Sequence, residues 1–125
     1  MDEDESIRVV IVDDEPDVRL LLRVQLEQAG FTVVGEAGDG QEALDCCRDA
    51  TPDAIVLDLL MPRMSGFEAI APLRELVQGV AIVAYTAVAG EFVRREMARL
   101  SVPLLLKSGN AEPLIEKLRD LVRSI

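Results

Sequence analysis

The 125-residue chain contains no histidine and no tryptophan, and its two cysteines are adjacent, at positions 46 and 47. The missing histidine excludes histidine-based catalytic triads, histidine metal clusters and phosphohistidine chemistry on this chain. Adjacent cysteines fit no disulfide framework, so we expect a reducing, cytoplasmic setting. One tyrosine and three phenylalanines leave few stacking platforms for single-stranded nucleic acid.

Positive charge and long apolar runs are also scarce. The chain has 13 lysines and arginines against 23 acidic residues, a formal net charge of −10. This balance disfavours direct nucleic-acid binding, because that binding depends on neutralising phosphates. No apolar run approaches the ~18 residues of a membrane-spanning helix. Acidic residues follow Met1, whereas a signal peptide begins with a basic region. We therefore expect no nucleic-acid or membrane contact by this chain.

The remaining composition is that of one globular domain. Half of the residues are hydrophobic and 29% are charged, which is typical of a folded chain. This length suits a single domain that buries roughly two-thirds of its extended-chain surface. Four of the first five residues are acidic. We expect residues 1–6 to form an acidic, disordered N-terminus and residues 7–125 to form the domain.

Short apolar segments alternate with amphipathic segments along the chain. The predicted strands are 7–12, 31–36, 54–57, 80–85 and 103–106. The predicted helices are 16–29, 41–49, 66–76, 91–100 and a last one that follows Asn110. Pro16 suits a first helical turn, with Asp14 or Glu15 as its cap. This alternation predicts an α/β fold with a parallel five-stranded sheet and helices on both faces.

Polar side chains follow four of the predicted strands directly. They are Asp13 and Asp14 after the first strand, Asp58 after the third, Thr86 after the fourth and Lys107 after the fifth. Because the carboxyl ends of parallel strands meet at one edge of a sheet, we expect these side chains to converge. Each residue alone is best explained by contact with solvent, but the combination of groups favours a site.

The chemistry of that set favours phosphoryl transfer. Three neighbouring carboxylates repel one another and therefore need a cation. Oxygen ligands without histidine or cysteine suit Mg²⁺ or Mn²⁺. A carboxylate that attacks phosphorus forms an aspartyl phosphate. Lys107 and the Thr86 hydroxyl would then bind the remaining phosphoryl oxygens.

Over residues 7–125 the chain resembles the receiver domains of two-component response regulators. The residues that carry the resemblance are the acidic pair after IRVVIV, Asp58 within VLDLLMPRMSG, Thr86 followed by Ala87, and Lys107. The resemblance implies a flavodoxin-like (βα)5 three-layer sandwich with strand order 2-1-3-4-5. It also implies Asp58 as the phosphoacceptor, Thr86 as the switch hydroxyl and Lys107 as the phosphate-binding cation.

The resemblance further implies an Mg²⁺ site and a signalling role. Asp14, Asp58 and the backbone carbonyl of Leu60 would be direct Mg²⁺ ligands, and Asp13 would act largely through water. A histidine kinase or histidine phosphotransfer protein would phosphorylate Asp58, and phosphorylation would switch partner binding. The chain would then be no enzyme in the ordinary sense, since it would catalyse only its own phosphorylation and dephosphorylation.

Two alternatives to a stand-alone regulator that is switched by phosphorylation stay open. One is a pseudo-receiver, a protein-interaction module with altered switching. The other is the receiver of a longer transcriptional regulator, separated from its output domain. A phosphatase of the aspartyl-phosphate type is disfavoured, because its acid/base would stand two residues after Asp58, where this chain has Leu60.

Three departures from the family pattern surround the fifth strand. Ser108 replaces the usual proline after the lysine, so we expect a trans peptide bond between Lys107 and Ser108. Leu104 stands where the family has its switch aromatic, which puts the usual coupling of hydroxyl and aromatic in question. The segment 101–103 replaces a turn that normally contains glycine.

Apolar side chains in two places suggest further properties. The first helix has more of them than one buried stripe needs: Val18, Leu20, Leu21, Leu22, Val24 and Leu26. The surplus fits a docking face for a kinase or phosphotransfer protein, and an equal alternative is that Arg19 and Arg23 cover it.

Leu60 and Val88 should flank the approach of water to the phosphoryl group, and both are apolar. We therefore expect a long-lived phosphorylated state.

Overall fold

The computed structural model describes residues 6–87 and 89–123 of the chain. The predicted disordered segment 1–6, except for the exposed Ser6, lies outside the described residues, as does Val88. The elements in chain order are β1 (Arg8–Val12), α1 (Pro16–Gln28), β2 (Thr32–Ala37), α2 (Gly40–Ala50), β3 (Ala54–Leu57), α3 (Gly66–Leu76), β4 (Ala81–Thr86), α4 (Glu91–Arg99), β5 (Leu104–Leu106) and α5 (Glu112–Arg123).

The five strands form one parallel sheet in the order β2-β1-β3-β4-β5. This arrangement confirms the predicted flavodoxin-like fold and its strand order. All four residues of the central strand β3 are buried, as expected for a continuous apolar run covered on both faces. Strands β1, β2, β4 and β5 each begin one residue later than the sequence predicted.

Helices cover both faces of the sheet. Val10 and Val12 of β1 pack in a core shared with α2, α3 and α4, whereas Val9 and Ile11 pack in a core shared with α1 and α5. This division follows from the two-residue period of a strand, which sends successive side chains to opposite faces. Two apolar cores therefore fix the sheet from both sides and leave its carboxyl edge open to solvent.

The N-cap residue of α1 is Glu15, one of the two residues that the sequence predicted. Neither Asp14 nor Glu15 caps the helix through its side chain; the N-cap residue Glu15 makes no such bond. Instead, the Glu15 backbone N–H donates to Asp13 Oδ1 at 2.9 Å. Such a bond between an aspartate and the backbone two residues later closes a turn, which fixes the Asp13 carboxylate just ahead of the helix. One candidate metal ligand is thereby held in place by the helix that follows it.

The two cysteines are packing residues. Cys47 is fully buried in the core shared by α2, α3 and α4, and burial raises the pKa of its thiol to about 12. Burial also raises the pKa of Cys46, and the charge of Asp49 adds to the effect. Since the thiolate is the reactive form, both thiols are unreactive near neutral pH.

The structure shows the conformation at each of the three places near β5 where the sequence departs from the family pattern. The described residues contain no cis peptide bond, so Lys107 and Ser108 are joined in trans, as predicted. Ser101 has a φ of 57°, the left-handed region in which glycine is most comfortable. Leu104 is partly buried and packs against the core shared by α2, α3 and α4.

The surplus apolar residues of α1 are exposed. Leu22 and Leu26 are buried, whereas Leu20, Leu21 and Val24 are open to solvent. The guanidinium groups of Arg19 and Arg23 are bonded to Glu36 on β2. Held in this way, the two arginines do not cover the three residues, and we call Leu20, Leu21 and Val24 the α1 apolar patch.

Candidate functional site

Three carboxylates meet at the carboxyl edge of the sheet. Strand β1 pairs with β3 so that Val12 lies opposite Leu57, and the residues that follow are the acidic pair and Asp58. One carboxylate oxygen from each of Asp13, Asp14 and Asp58 lies within 4.8 Å of the others. Asp13 is 2% exposed and Asp58 5%, whereas Asp14 is exposed. The arrangement concentrates negative charge where little water screens it.

Lys107 supplies positive charge to this cluster. Its Nζ lies 2.5 Å from Asp13 Oδ2 and 3.3 Å from Asp58 Oδ2, and its backbone N–H donates to the carbonyl of Thr86 at 2.8 Å. Burial by itself would lower the pKa of Lys107, but the hydrogen bond to Asp13 and the charges of Asp58 and Asp13 outweigh it and raise that pKa. Lys107 is therefore a fixed cation at neutral pH.

Asp58 is a poorly solvated carboxylate. Burial raises its pKa, and the charge of Asp13 adds to this effect, while Lys107 and a backbone hydrogen bond from Leu60 oppose it. That Leu60 N–H lies 3.4 Å from Asp58 Oδ1. Because burial disfavours its charge, neutralising Asp58 costs less free energy in the folded protein than it does in water.

An open cavity of about 280 Å³ gives access to the cluster. Its lining residues are Asp14, Glu15, Asp58, Leu60, Thr86, Ala87 and Lys107. Five of these lining residues are among the six site residues predicted from the sequence. The sixth, Asp13, does not line the cavity but contacts Lys107, which does. Glu15 and Ala87 are the two further lining residues, and each directly follows a predicted site residue in the sequence.

Asp13 is held by partners that the sequence did not reveal. Its backbone N–H donates to the carbonyl of Ala37 at 2.9 Å. Its own backbone carbonyl accepts a hydrogen bond of 2.5 Å from Arg19 Nη1. In the sequence Arg19 is indistinguishable from an ordinary surface arginine, because its contact with the acidic loop depends on the orientation of α1.

The loop between β3 and α3 is tied to the start of α2. Arg63 has a φ of 62°, and its Nε donates to Asp39 Oδ2 at 2.7 Å, with a second contact from Nη2. Asp39 caps α2, and the hydrogen bond from the Glu42 backbone, then the one from Arg63, holds its pKa below the ordinary value. The loop that carries Leu60 is thereby anchored at its far end.

Comparison with known proteins gives a consistent family assignment. The family model of the response regulator receiver domain matches residues 9–119. The transcriptional regulatory protein YxjL of Bacillus subtilis is 36% identical over 121 residues, which are 95% of this chain and 56% of YxjL. The response regulator MprA of Mycobacterium bovis is 37% identical over 121 residues, 94% of this chain and 51% of MprA.

Solved structures agree with this assignment. The response regulator TrrA of Thermotoga maritima, crystallised in complex with Mg²⁺ and BeF, superposes with a TM-score of 0.82 at 31% identity, covering 92% of this chain and 98% of that one. The chain spans about half the length of YxjL and of MprA.

Among the described residues, no helix combines the length and apolar character needed to cross a membrane.

Proposed function

Because this chain belongs to the response regulator receiver domain family of two-component systems, we propose that it is a switch controlled by phosphorylation of Asp58. The observation that carries this proposal is the buried Asp58 carboxylate, 3.3 Å from Lys107 and grouped with Asp13 and Asp14 at an open cavity. The site combines a carboxylate nucleophile at the wall of an open cavity with groups that can compensate the charge of a phosphoryl group.

In the proposed reaction a carboxylate oxygen of Asp58 attacks the phosphorus of a phosphohistidine. The new P–O bond makes a mixed anhydride, and the P–N bond breaks with its electron pair passing to the imidazole, which takes up a proton from solvent. Lys107 would bind the phosphoryl oxygens, and Thr86, whose hydroxyl is the proposed switch group, lines the same cavity. The residue two positions after Asp58 is Leu60, which cannot act as an acid or base toward a separate substrate.

The donor set fits Mg²⁺. Lys107 pairs with Asp13 and Asp58 but has no such contact with Asp14, the third carboxylate of the cluster. The cluster can therefore accept further positive charge, and its oxygen ligands are those that Mg²⁺ prefers. We assign Asp14, Asp58 and the Leu60 backbone carbonyl as direct ligands, with Asp13 acting through water. When bound, Mg²⁺ would neutralise charge on the phosphoryl oxygens.

The proposed phosphodonor is a histidine kinase or histidine phosphotransfer protein. The α1 apolar patch, formed by Leu20, Leu21 and Val24, is the proposed docking face, since it lies on the helix that starts at the acidic loop. Curated relatives such as YxjL are transcriptional regulators of which this chain spans about half. That proportion favours the alternative that the receiver controls an output region in a longer protein.

Mass spectrometry of the intact chain tests the proposed function. After incubation with a small phosphodonor and Mg²⁺, we expect the mass to rise by one phosphoryl group, and to stay unchanged when a chelator replaces Mg²⁺. A mass that never changes would contradict phosphoacceptance and would favour a pseudo-receiver.

Replacing Asp14 by alanine should remove the response to Mg²⁺. In the wild-type chain, Mg²⁺ at 100 times its dissociation constant stabilises the folded state by about 2.7 kcal/mol, because it binds only that state. We expect Asp14→Ala to abolish the rise in melting temperature and to be more stable than the wild type without metal, since it relieves repulsion between carboxylates. Asp17→Ala, an exposed acid in the first turn of α1, is the control and should respond fully.

Substituting Leu60 should shorten the lifetime of the phosphorylated state. Leu60 is 62% exposed and lines the cavity, so an apolar side chain stands where a polar one would orient the attacking water. Leu60→Glu or Leu60→Asn should speed dephosphorylation several-fold, which is about 1 kcal/mol of barrier.

The measurement for Leu60 is the first-order loss of the phosphorylated mass at fixed Mg²⁺. Leu76→Asn, at the end of α3, controls for the loss of an exposed leucine and should decay at the wild-type rate. Equal rates for all variants would show that Leu60 has no part in hydrolysis.

A further inference from the structure

We propose that Arg19 and Glu36 are positioning residues for the cation site, because together they fix the peptide unit that joins Asp13 to Asp14. This inference rests on the proposed Mg²⁺ site and adds two residues that touch neither metal nor phosphoryl group. Arg19 lies on α1 and Glu36 on β2, so the pair connects the acidic loop to the neighbouring strand.

The Arg19 guanidinium donates hydrogen bonds to both the acidic loop and strand β2. Its Nη1 donates to the backbone carbonyl of Asp13 at 2.5 Å, and its Nε donates to Glu36 Oε1 at 3.1 Å. The side chain is only 21% exposed, which strengthens both charge-assisted hydrogen bonds. With its Nε bonded to Glu36, the planar guanidinium of Arg19 holds Nη1 in a defined orientation toward the Asp13 carbonyl.

Glu36 also binds a second arginine, Arg23, which can be compared with Arg19. Its Oε2 accepts a hydrogen bond of 2.7 Å from Arg23 Nε, and Arg23 also lies 3.9 Å from Glu27. Arg23 is thus on the same helix as Arg19 and bound to the same carboxylate. Its hydrogen bond and ion pairs go to glutamates and not to the acidic loop.

The backbone carbonyl of Asp13 belongs to the peptide unit between two candidate metal ligands, Asp13 and Asp14. The Asp13 side chain is already fixed by Lys107 and by the Glu15 backbone. Asp14 is exposed, so its position depends on the backbone more than on packing. Since a peptide unit is planar, a bond to the Asp13 oxygen fixes the whole unit and the direction in which the chain enters Asp14.

Positioning and simple electrostatics predict opposite results for Arg19. Removing a positive charge near a cation site should strengthen Mg²⁺ binding if charge alone matters. If Arg19 positions the acidic loop, its loss should weaken Mg²⁺ binding despite the gain in negative charge. Partners that orient metal ligands typically contribute tenfold or more to metal affinity.

Calorimetric titration of the full chain with MgCl₂ distinguishes these possibilities. We expect Arg19→Gln to raise the dissociation constant for Mg²⁺ roughly tenfold, and Glu36→Gln to change it in the same direction. Arg23→Gln, which removes the same charge without touching the acidic loop, should stay within about twofold of the wild type. Arg19→Lys keeps the charge and one donor and should recover part of the loss.

Urea unfolding of each variant without metal separates this role from a purely structural one. Unchanged or tighter Mg²⁺ binding by Arg19→Gln would overturn the inference, whether or not its metal-free stability falls. Equal weakening by Arg19→Gln and Arg23→Gln would also overturn it, because the effect would then not depend on the acidic loop. A wild-type chain that binds no Mg²⁺ would overturn the proposed metal site together with this inference.

Discussion

Replacing Asp58 by asparagine is expected to abolish phosphoryl uptake from a small phosphodonor completely. The amide retains the shape of the carboxylate but has no anionic oxygen that can attack phosphorus. Intact-mass spectrometry should show one added phosphoryl group on the wild type and none on Asp58→Asn. Asp45→Asn, which alters a carboxylate on the exposed face of α2, is the matched control and should be phosphorylated like the wild type.

The same substitution should stabilise the metal-free protein at neutral pH. Burial and the charge of Asp13 raise the pKa of Asp58 above its ordinary 3.8, although Lys107 opposes them. An acid with a raised pKa in the folded state binds its proton more tightly there than in the unfolded state, so its contribution to stability rises as the pH falls. The advantage of Asp58→Asn should therefore shrink as the pH falls through the folded-state pKa toward 3.8.

Urea unfolding of both proteins across that pH range measures the difference. A phosphoryl gain that survives Asp58→Asn would overturn the assignment of the phosphoacceptor. An asparagine variant less stable than the wild type at neutral pH would instead show that Lys107 more than compensates the cost of burying this charge.

Replacing Gly66 by alanine should destabilise the fold and impair phosphorylation together. Gly66 is the buried first residue of α3, and its N–H donates to the carbonyl of Leu59 at 3.1 Å. An added Cβ would lie far inside contact distance of the Asp58 carbonyl oxygen and 2.8 Å from Leu59 Cα. Both are backbone atoms, so the chain at the phosphoacceptor itself must move. We expect a loss of about 3 kcal/mol, the upper range for overpacking.

Gly90 provides the control for Gly66. It precedes α4 as Gly66 begins α3, and an added Cβ there meets nothing within 4 Å. Gly90→Ala should cost less than about 1 kcal/mol and leave phosphorylation intact. The measurements are urea unfolding and the rate of phosphoryl uptake; similar results for the two variants would show that crowding at Asp58 is not the cause.

The apolar periodicity predicted the type and order of the elements, with the starts of four of the five strands displaced by one residue. Periodicity succeeds here because the apolar side chains of each helix pack against the sheet, and those of each strand pack against the helices. The spacing of these side chains within one element therefore shows whether it is a helix or a strand. Glu15 is the N-cap of α1, as predicted, but its side chain makes no capping bond, and its backbone N–H is free to bond a neighbouring side chain. The conformation of the loop decides which side chain accepts that bond, and here it is Asp13.

By itself, the sequence determined the parallel sheet and the convergence of Asp13, Asp14, Asp58, Thr86 and Lys107, because residues that follow parallel strands must emerge at one edge. Only the tertiary structure decided what holds that edge in place. Arg19 reaches Glu36 across 17 residues, and Arg63 reaches Asp39 across 24. Such contacts depend on how helices and loops are oriented, as in the left-handed φ of Arg63, and no local pattern of apolar residues encodes that orientation.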